Sequence, residues 1–260
     1  MPLFVPDLDY PKLRDVNSYR AKIATIVPST NTTVEHDFHS VAPRGVTFPV
    51  GRMYIPQPQS GNDSEFAHII QQVDDALADA IRSVMTTGPD HVVMAMSAPT
   101  FWGSLAGNAR IEARMRELSG LEGVTSGATA VRDALNALGA KNIAFVSPYQ
   151  QVGDDHVEQF FSDAGFSVRR SIGLKVPSID YISRTPASTL IAALRELDGD
   201  DVDVLVQAGT NLSMVRLADE AERWLGKPVV TINAATLWHA LRHCDVNDQF
   251  DGFGTLLREF

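Results

Sequence analysis

The segment Ile23-Ala24-Thr25-Ile26-Val27-Pro28-Ser29 is answered by Ile143-Ala144-Phe145-Val146-Ser147-Pro148-Tyr149, and Val92-Val93-Met94-Ala95-Met96-Ser97 by Val204-Leu205-Val206-Gln207-Ala208-Gly209. In each pair an apolar run ends in a small or polar turn. Ile23 and Ile143 are 120 residues apart, Ser97 and Gly209 112, so the chain reads as two similar halves. This duplication constrains the fold strongly. Strands that are apolar throughout must be covered on both faces, and two equivalent halves bring equivalent loops face to face. Open α/β sheets bind ligands beyond the carboxyl ends of their strands. A small-molecule site is therefore expected in the cleft between the halves.

The rest of the chain fits that plan. Apolar runs at 22–27, 45–54, 91–96, 142–147, 166–170, 203–207 and 228–232 read as buried strands. Amphipathic stretches near 31–39, 63–87, 105–118, 127–138, 151–164, 186–197, 215–225 and 234–243 read as helices. In the clearest of them Phe66, Ile69, Ile70, Val73, Leu77, Ile81 and Val84 recur every three to four residues, with Asp63 as N-cap and Gly88-Pro89 as terminator. The expected fold class is α/β: two pseudo-symmetric halves, each a parallel sheet flanked by helices, with right-handed crossovers. Residues 1–20 read as an arm, 21–125 as the first half completed by 233–260, and 126–232 as the second. No Gly/Ser linker separates the halves, so they are expected to pack tightly.

The formal charge of −10 opposes non-specific nucleic-acid binding, although a local cluster of donors still permits an anionic ligand. No apolar run is long enough to span a bilayer, no secretion pattern opens the chain, and Cys244 is the single cysteine. A reducing cytoplasm is expected, without an intrachain disulfide or a Cys-rich zinc site.

Four turns carry the candidate chemistry. Pro28-Ser29-Thr30-Asn31-Thr32-Thr33-Val34-Glu35 offers hydroxyls, an amide and free helix-start N–H groups suited to a carboxylate or phosphate. On this segment alone an ordinary cap is favoured, with Thr32 or Thr33 capping and Glu35 closing a capping box, and the two roles can coexist. In Met96-Ser97-Ala98-Pro99-Thr100-Phe101-Trp102-Gly103, Ser97 lacks both a local histidine and a Gly-x-Ser-x-Gly elbow, so a hydrogen-bond donor or turn residue is favoured over a nucleophile. Gly209-Thr210-Asn211-Leu212-Ser213 is the matching loop, and Ser147-Pro148-Tyr149 would point its phenol into the same cleft. His36 and His39, beside Glu35 and Asp37, and His239 and His243 each share a helix face, but neither pair supplies a full ligand set, so no metal is expected. Cys244 reads as a packing residue. Without Walker or Rossmann glycines no nucleotide cofactor is expected.

On these residues the chain resembles the aspartate/glutamate racemase superfamily, in its branch of maleate cis-trans isomerases and arylmalonate decarboxylases. The resemblance covers about 22–243 and rests on Ile26 through Glu35, Ser147-Pro148-Tyr149, Gly209-Thr210-Asn211-Leu212, Lys227-Pro228-Val229-Val230 and Asn233-Ala234-Ala235-Thr236-Leu237-Trp238. The resemblance implies two facing cysteines, at positions that fall here on Ser97 and Gly209. The decarboxylase branch keeps only the second, and this chain keeps neither. An Asp-Asn pattern before Ile-Gly-Arg is altered to Ser178-Ile179-Asp180-Tyr181-Ile182-Ser183-Arg184. Since neither glycine nor an unassisted serine does the work of a thiolate, the resemblance implies a carboxylate-binding cleft without the usual reagents.

The expected function is a cofactor-independent lyase or isomerase acting on a small carboxylate or dicarboxylate. Ser97 and Tyr149 are the catalytic candidates, and Ser29, Thr30, Asn31, Ala98, Phe101, Gly209, Thr210 and Asn211 the binding candidates. Phe101 and Trp102 would form an apolar wall that destabilises one carboxylate, while Ser97, Asn211 and backbone N–H groups stabilise a developing enediolate. The alternatives are hydrolysis or hydration of a small amino-acid derivative, by resemblance to ectoine-utilisation proteins, and non-catalytic carboxylate binding. A homo-oligomer is implied by family behaviour and the arm; no nucleic-acid or membrane partner is expected.

Overall fold

The computed structural model describes residue 9 and residues 13–260. Most of the expected arm (1–8 and 10–12) therefore lies outside the described residues. From residue 13 the chain lies on the first half: Asp15 accepts the N–H groups of Asn17 and Ser18 and pairs with Lys22. The Tyr19 ring covers Gly45, whose φ of +84° leaves no room for a side chain.

Two parallel sheets build the molecule. The first contains β1 (Ala21–Pro28), β2 (Val46–Thr47), β3 (Val50–Met53), β4 (His91–Met94) and β5 (Val124–Ser126), in the order β2-β1-β4-β5, with β3 also against β1. The second contains β6 (Asn142–Ser147), β7 (Ser167–Gly173), β8 (Val204–Gln207) and β9 (Val229–Thr231), in the order β7-β6-β8-β9. The second sheet repeats the first, β6 standing for β1 and β8 for β4, which are the pairs the sequence matched. All pairings are parallel. The run expected at 45–54 is two strands, interrupted at Phe48-Pro49, where proline has no N–H for a ladder. With a single apolar residue in Val124–Ser126, β5 carried too little pattern to be read.

The helices are α1 (Val34–Val41), α2 (Asp63–Met85), α3 (Ala98–Phe101), α4 (Ser104–Ser119), α5 (Gly127–Ala137), α6 (Gln151–Asp163), α7 (Ala187–Leu197), α8 (Val215–Leu225), α9 (Ile232–His243) and α10 (Thr255–Glu259), with a 3-10 turn at Ile179–Arg184. The apolar stripe of α2 buries Phe66, Ile69, Val73, Leu77, Ile81 and Val84 as its spacing predicts. Its cap is Asn62, one residue before the expected Asp63: the Asn62 amide oxygen accepts the Glu65 N–H at 3.0 Å.

One apolar cluster runs through both halves, from Ile26, Met53 and Ile69 to Val146, Leu190, Leu205 and Leu212. The halves are thus joined by core and not only by loops. A second cluster joins Phe101, Phe145, Phe160 and Phe161 on the other face of the second sheet. A third seats α1, α9 and Phe253 to Leu257 against the first sheet. No helix among the described residues is long and apolar enough to cross a membrane.

Candidate active site

The turns after β1, β4, β6 and β8 converge on one cavity of about 30 Å³. Thr30, Asn31, Ser97, Ala98, Tyr149, Gly209, Thr210 and Asn211 line it, with Phe66, Ile69, Met96, Ile179 and Ile182 among the apolar residues. Two strips of chain, one from each half, close over it. Gln59 and Ser178 form an antiparallel bridge, Ser60 N–H donates to Pro177 O and Ile179 N–H to Pro58 O. Such a volume holds about two water-sized bodies.

The central contact is a 2.5 Å hydrogen bond between Ser97 Oγ and Tyr149 Oη. The phenol donates to Ala208 O at 2.8 Å, so the serine hydroxyl supplies the proton between the two oxygens. The Thr210 N–H approaches Ser97 Oγ at 3.4 Å. Burial pushes the Tyr149 phenol well above its ordinary value, although the Ser97 bond opposes the rise. It stays protonated at neutral pH, as a donor and not a base.

Asn31 supplies the decisive polar atom. Its Oδ1 accepts the N–H groups of Thr33 and Val34, both at 3.0 Å, which caps α1. Its Nδ2 is buried without a partner. The other buried orphans, Asn108 Oδ1 and Trp238 Nε1, belong to residues that do not line the cavity. This arrangement replaces the expected cap by Thr32 or Thr33. The Thr33 hydroxyl is drawn across the cleft to Asn211 O and Oδ1 at 3.1 and 3.0 Å, and Glu35 pairs with Arg52 instead of closing a capping box. Asn211 Oδ1 also accepts the Thr32 N–H at 3.1 Å, so the loops after β1 and β8 are stitched together.

Two expected binding residues fall outside the cavity. Ser29 Oγ accepts the Ile55 N–H and its own N–H goes to Met53 O, so it fixes the chain after β3. Phe101 lies in the second core, with ring centroids 5.3 Å from Phe160 and 5.6 Å from Phe161. The Trp102 ring lies tilted by 44° against His156 with centroids 4.0 Å apart, and Trp102 is not part of the cavity lining. The apolar wall expected from Phe101 and Trp102 is formed instead by α2 and the 3-10 turn. Helical periodicity marked Phe66 and Ile69 as core, and periodicity does not separate a core face from a site wall.

Sequence reasoning also missed Asp37 and Asn233. Asn233 Nδ2 donates to Asp37 Oδ2 at 2.7 Å and to Thr210 O at 2.9 Å, tying α1 and α9 to the loop after β8. Burial pushes the Asp37 carboxyl up to about 6. Their only signal was Asn233 at the start of a family-like segment.

The position of the second family cysteine is closed. A Cβ on Gly209 would lie 2.5 Å from Pro148 Cδ and 2.7 Å from its Cγ, so the proline ring occupies the space of a side chain there. Cys244 is half-buried at the far end of α9, about 16 Å along the helix from Asn233 at 1.5 Å per residue. Burial and the nearby Asp90 and Asp245 push its thiol up to about 11. Among the described residues no cluster of three or more His, Cys, Asp or Glu side chains could hold a metal ion.

A family model described as arylmalonate decarboxylase matches residues 26–257. The chain belongs to the arylmalonate decarboxylase family. It is 27% identical over 248 residues to maleate isomerase of Pseudomonas putida, covering 91% of this chain and 96% of that protein. It is also 27% identical over 173 residues to arylmalonate decarboxylase of Bordetella bronchiseptica, covering 65% and 71%. Among solved structures, a cysteine-to-serine variant of Nocardia farcinica maleate cis-trans isomerase with a covalently bound succinylcysteine intermediate superposes with a TM-score of 0.84, at 24% identity over 92% of this chain and 99% of that one. Relatives of this family chain are thus isomerases and decarboxylases.

Proposed function

We propose that this family member is a lyase or isomerase that works beside the carboxylate of a small acid without a thiol. The single observation that carries the reading is the unpartnered Asn31 amide, buried at the cleft opposite an apolar wall. A buried donor without an acceptor costs roughly 1–3 kcal/mol, and a carboxylate oxygen repays that cost.

In the decarboxylation form of the reaction, Asn31 Nδ2 and the polar turns around Thr30 and Thr210 hold one carboxylate. The other is pressed against Phe66, Ile69, Ile179 and Ile182, where its charge is poorly solvated. The C–C bond breaks, CO₂ leaves, and the electron pair moves into the held carboxylate as an enediolate that the donors stabilise. Tyr149 gives up its hydrogen bond to Ala208 O and delivers that proton to the α-carbon, while the Ser97 hydroxyl keeps donating to the phenolate oxygen; solvent restores the proton.

The relatives named above support isomerase and decarboxylase chemistry, and no observation at the site favours hydrolysis or passive binding. The single cysteine supports a cytoplasmic setting. The test is proton NMR in D2O with maleate, aryl- and alkylmalonates, aspartate derivatives and N-acetylated diamino acids. Substrate loss or deuterium beside a carboxylate, unchanged after alkylation of Cys244, is the expected result. Ligand broadening without turnover by any of them would make the cleft a receptor, and inactivation on alkylation would sink the thiol-free mechanism.

A further inference from the structure

We propose that Asp154 is a positioning residue for Tyr149, setting both the backbone placement of the phenol and the charge behind it. The inference rests on the reading of Ser97 and Tyr149 as the reacting pair. Asp154, on the first turn of α6, is buried. Its Oδ1 accepts the Ser147 hydroxyl, and Ser147 Oγ accepts the Tyr149 N–H at 3.0 Å. The carboxylate thus spans the turn that carries the phenol. Backbone bonds from the segment after β7 also hold that turn: Leu174 N–H donates to Ser147 O at 2.9 Å, Lys175 N–H to Tyr149 O at 3.2 Å and Val176 N–H to Pro148 O at 3.0 Å.

Two glycines make room for the arrangement. A side chain at Gly173 would overlap the Asp154 carboxylate, and one at Gly153 would meet Tyr149 Cβ at 2.8 Å and the Phe66 ring at 2.9 Å. Asp154 plays no direct part in the cavity lining, so packing alone does not explain a carboxylate buried here.

Burial raises this carboxyl to about 7; Asp155 and Glu158 add to the rise, while Ser147 and Lys175 oppose it. Asp63, which accepts the Val152 N–H from the end of α2, and His156, on α6 against Trp102, are the other titratable groups near this helix start. Ionisation of Asp154 places a negative charge behind Tyr149 and makes the phenol a weaker acid. Around neutrality the tyrosine is therefore tuned by a group that never meets the substrate.

The test needs no substrate. Protein labelled with tyrosine carrying carbon-13 at Cζ is titrated from pH 5 to 9, with the Tyr149 resonance assigned by Y149F. Wild type is expected to show an inflection near pH 7 that D154N, isosteric and uncharged, abolishes. E158Q should lower the midpoint without removing the inflection, and H156Q should leave it in place. A flat wild-type curve, or an inflection that survives D154N, overturns the proposal. S147A should shift and broaden the resonance by loosening the turn; an unchanged signal would also count against the linkage. Failure of the mechanism would show separately, as turnover that survives Y149F while the inflection stands.

Discussion

Two buried polar systems in this molecule invite comparison. Below β4 and β5, His91 Nε2 meets Thr125 Oγ1 at 2.7 Å, and Thr125 Oγ1 meets His239 Nδ1 at 2.8 Å. His239 Nε2 then reaches Asp133 at 3.4 Å, and His243 stacks on His239 with ring centroids 4.0 Å apart. Every link of that chain has a partner inside the protein. In the cleft, by contrast, Asn31 Nδ2 has none, and the Ser97–Tyr149 couple faces a cavity. What sets the cleft apart is an unsatisfied donor on a residue that lines a cavity. His239 and His243, which share a helix face in the sequence, belong with His91 to this satisfied chain, while Asn31, read as a binding residue with Thr32 or Thr33 as the cap, is both cap and donor.

The sharpest way to break this contrast is to remove the couple proposed to react, Ser97 and Tyr149. Y149F and S97A should each lower turnover by about 10²–10⁴ while leaving thermal stability close to wild type. Steady-state kinetics with the substrate found by NMR checks this, and activity within twofold of wild type would dismiss the couple.

The histidine chain should respond to pH, not to substrate. Burial, together with His243 and His239, pushes the His91 imidazole down to about 3. The unfolded chain takes up a proton near pH 6.5 that the folded state refuses until about 3. Stability from His91 is therefore full above the unfolded value and is lost as pH falls through that window, by about 1.4 kcal/mol per pH unit. Asp37 and Asp154, raised to about 6 and about 7, have the opposite sign, because the folded state holds their protons and loses stability as pH rises. Comparing wild type with H91N isolates the histidine. The wild-type advantage in denaturant titration should shrink by about 2–3 kcal/mol between pH 7.5 and 4.5.

N31D sharpens the contrast from the cleft side. The carboxylate keeps the acceptor that caps α1 but loses the amide donor and adds a repelling charge. KM should rise about 10–100-fold with the melting temperature nearly unchanged. The smallest expected effect is T125V, which removes the hydroxyl between His91 and His239. It should cost about 1–2 kcal/mol of stability and leave kcat and KM alone. A change in KM here would join the two systems that the structure separates.

Periodicity and duplication were enough to identify both sheets, the α2 stripe and the four converging turns, because apolar spacing is set by which faces are covered and is written locally in the chain. Thr30, Asn31, Ser97, Tyr149, Thr210 and Asn211 follow from those turns, since every strand end of a parallel sheet points the same way. Distance along the chain hid the rest. Phe66 and Ile69 carry an ordinary core pattern, and only the tertiary structure puts them beside Ile179 and Ile182 in the cavity lining. Phe101 looked like that wall, but α6 draws it into an aromatic core. Asn31 outcompetes its neighbouring threonines as cap because Asn211, 180 residues later, claims the Thr33 hydroxyl. Loss of the cysteines was plain in the sequence; that Pro148 fills the space beside Gly209 was not. Covalent order determined which groups are present and on which strand end. Three-dimensional packing alone decided which of them are satisfied, because a hydrogen bond is won by whichever partner folding brings within about 3 Å.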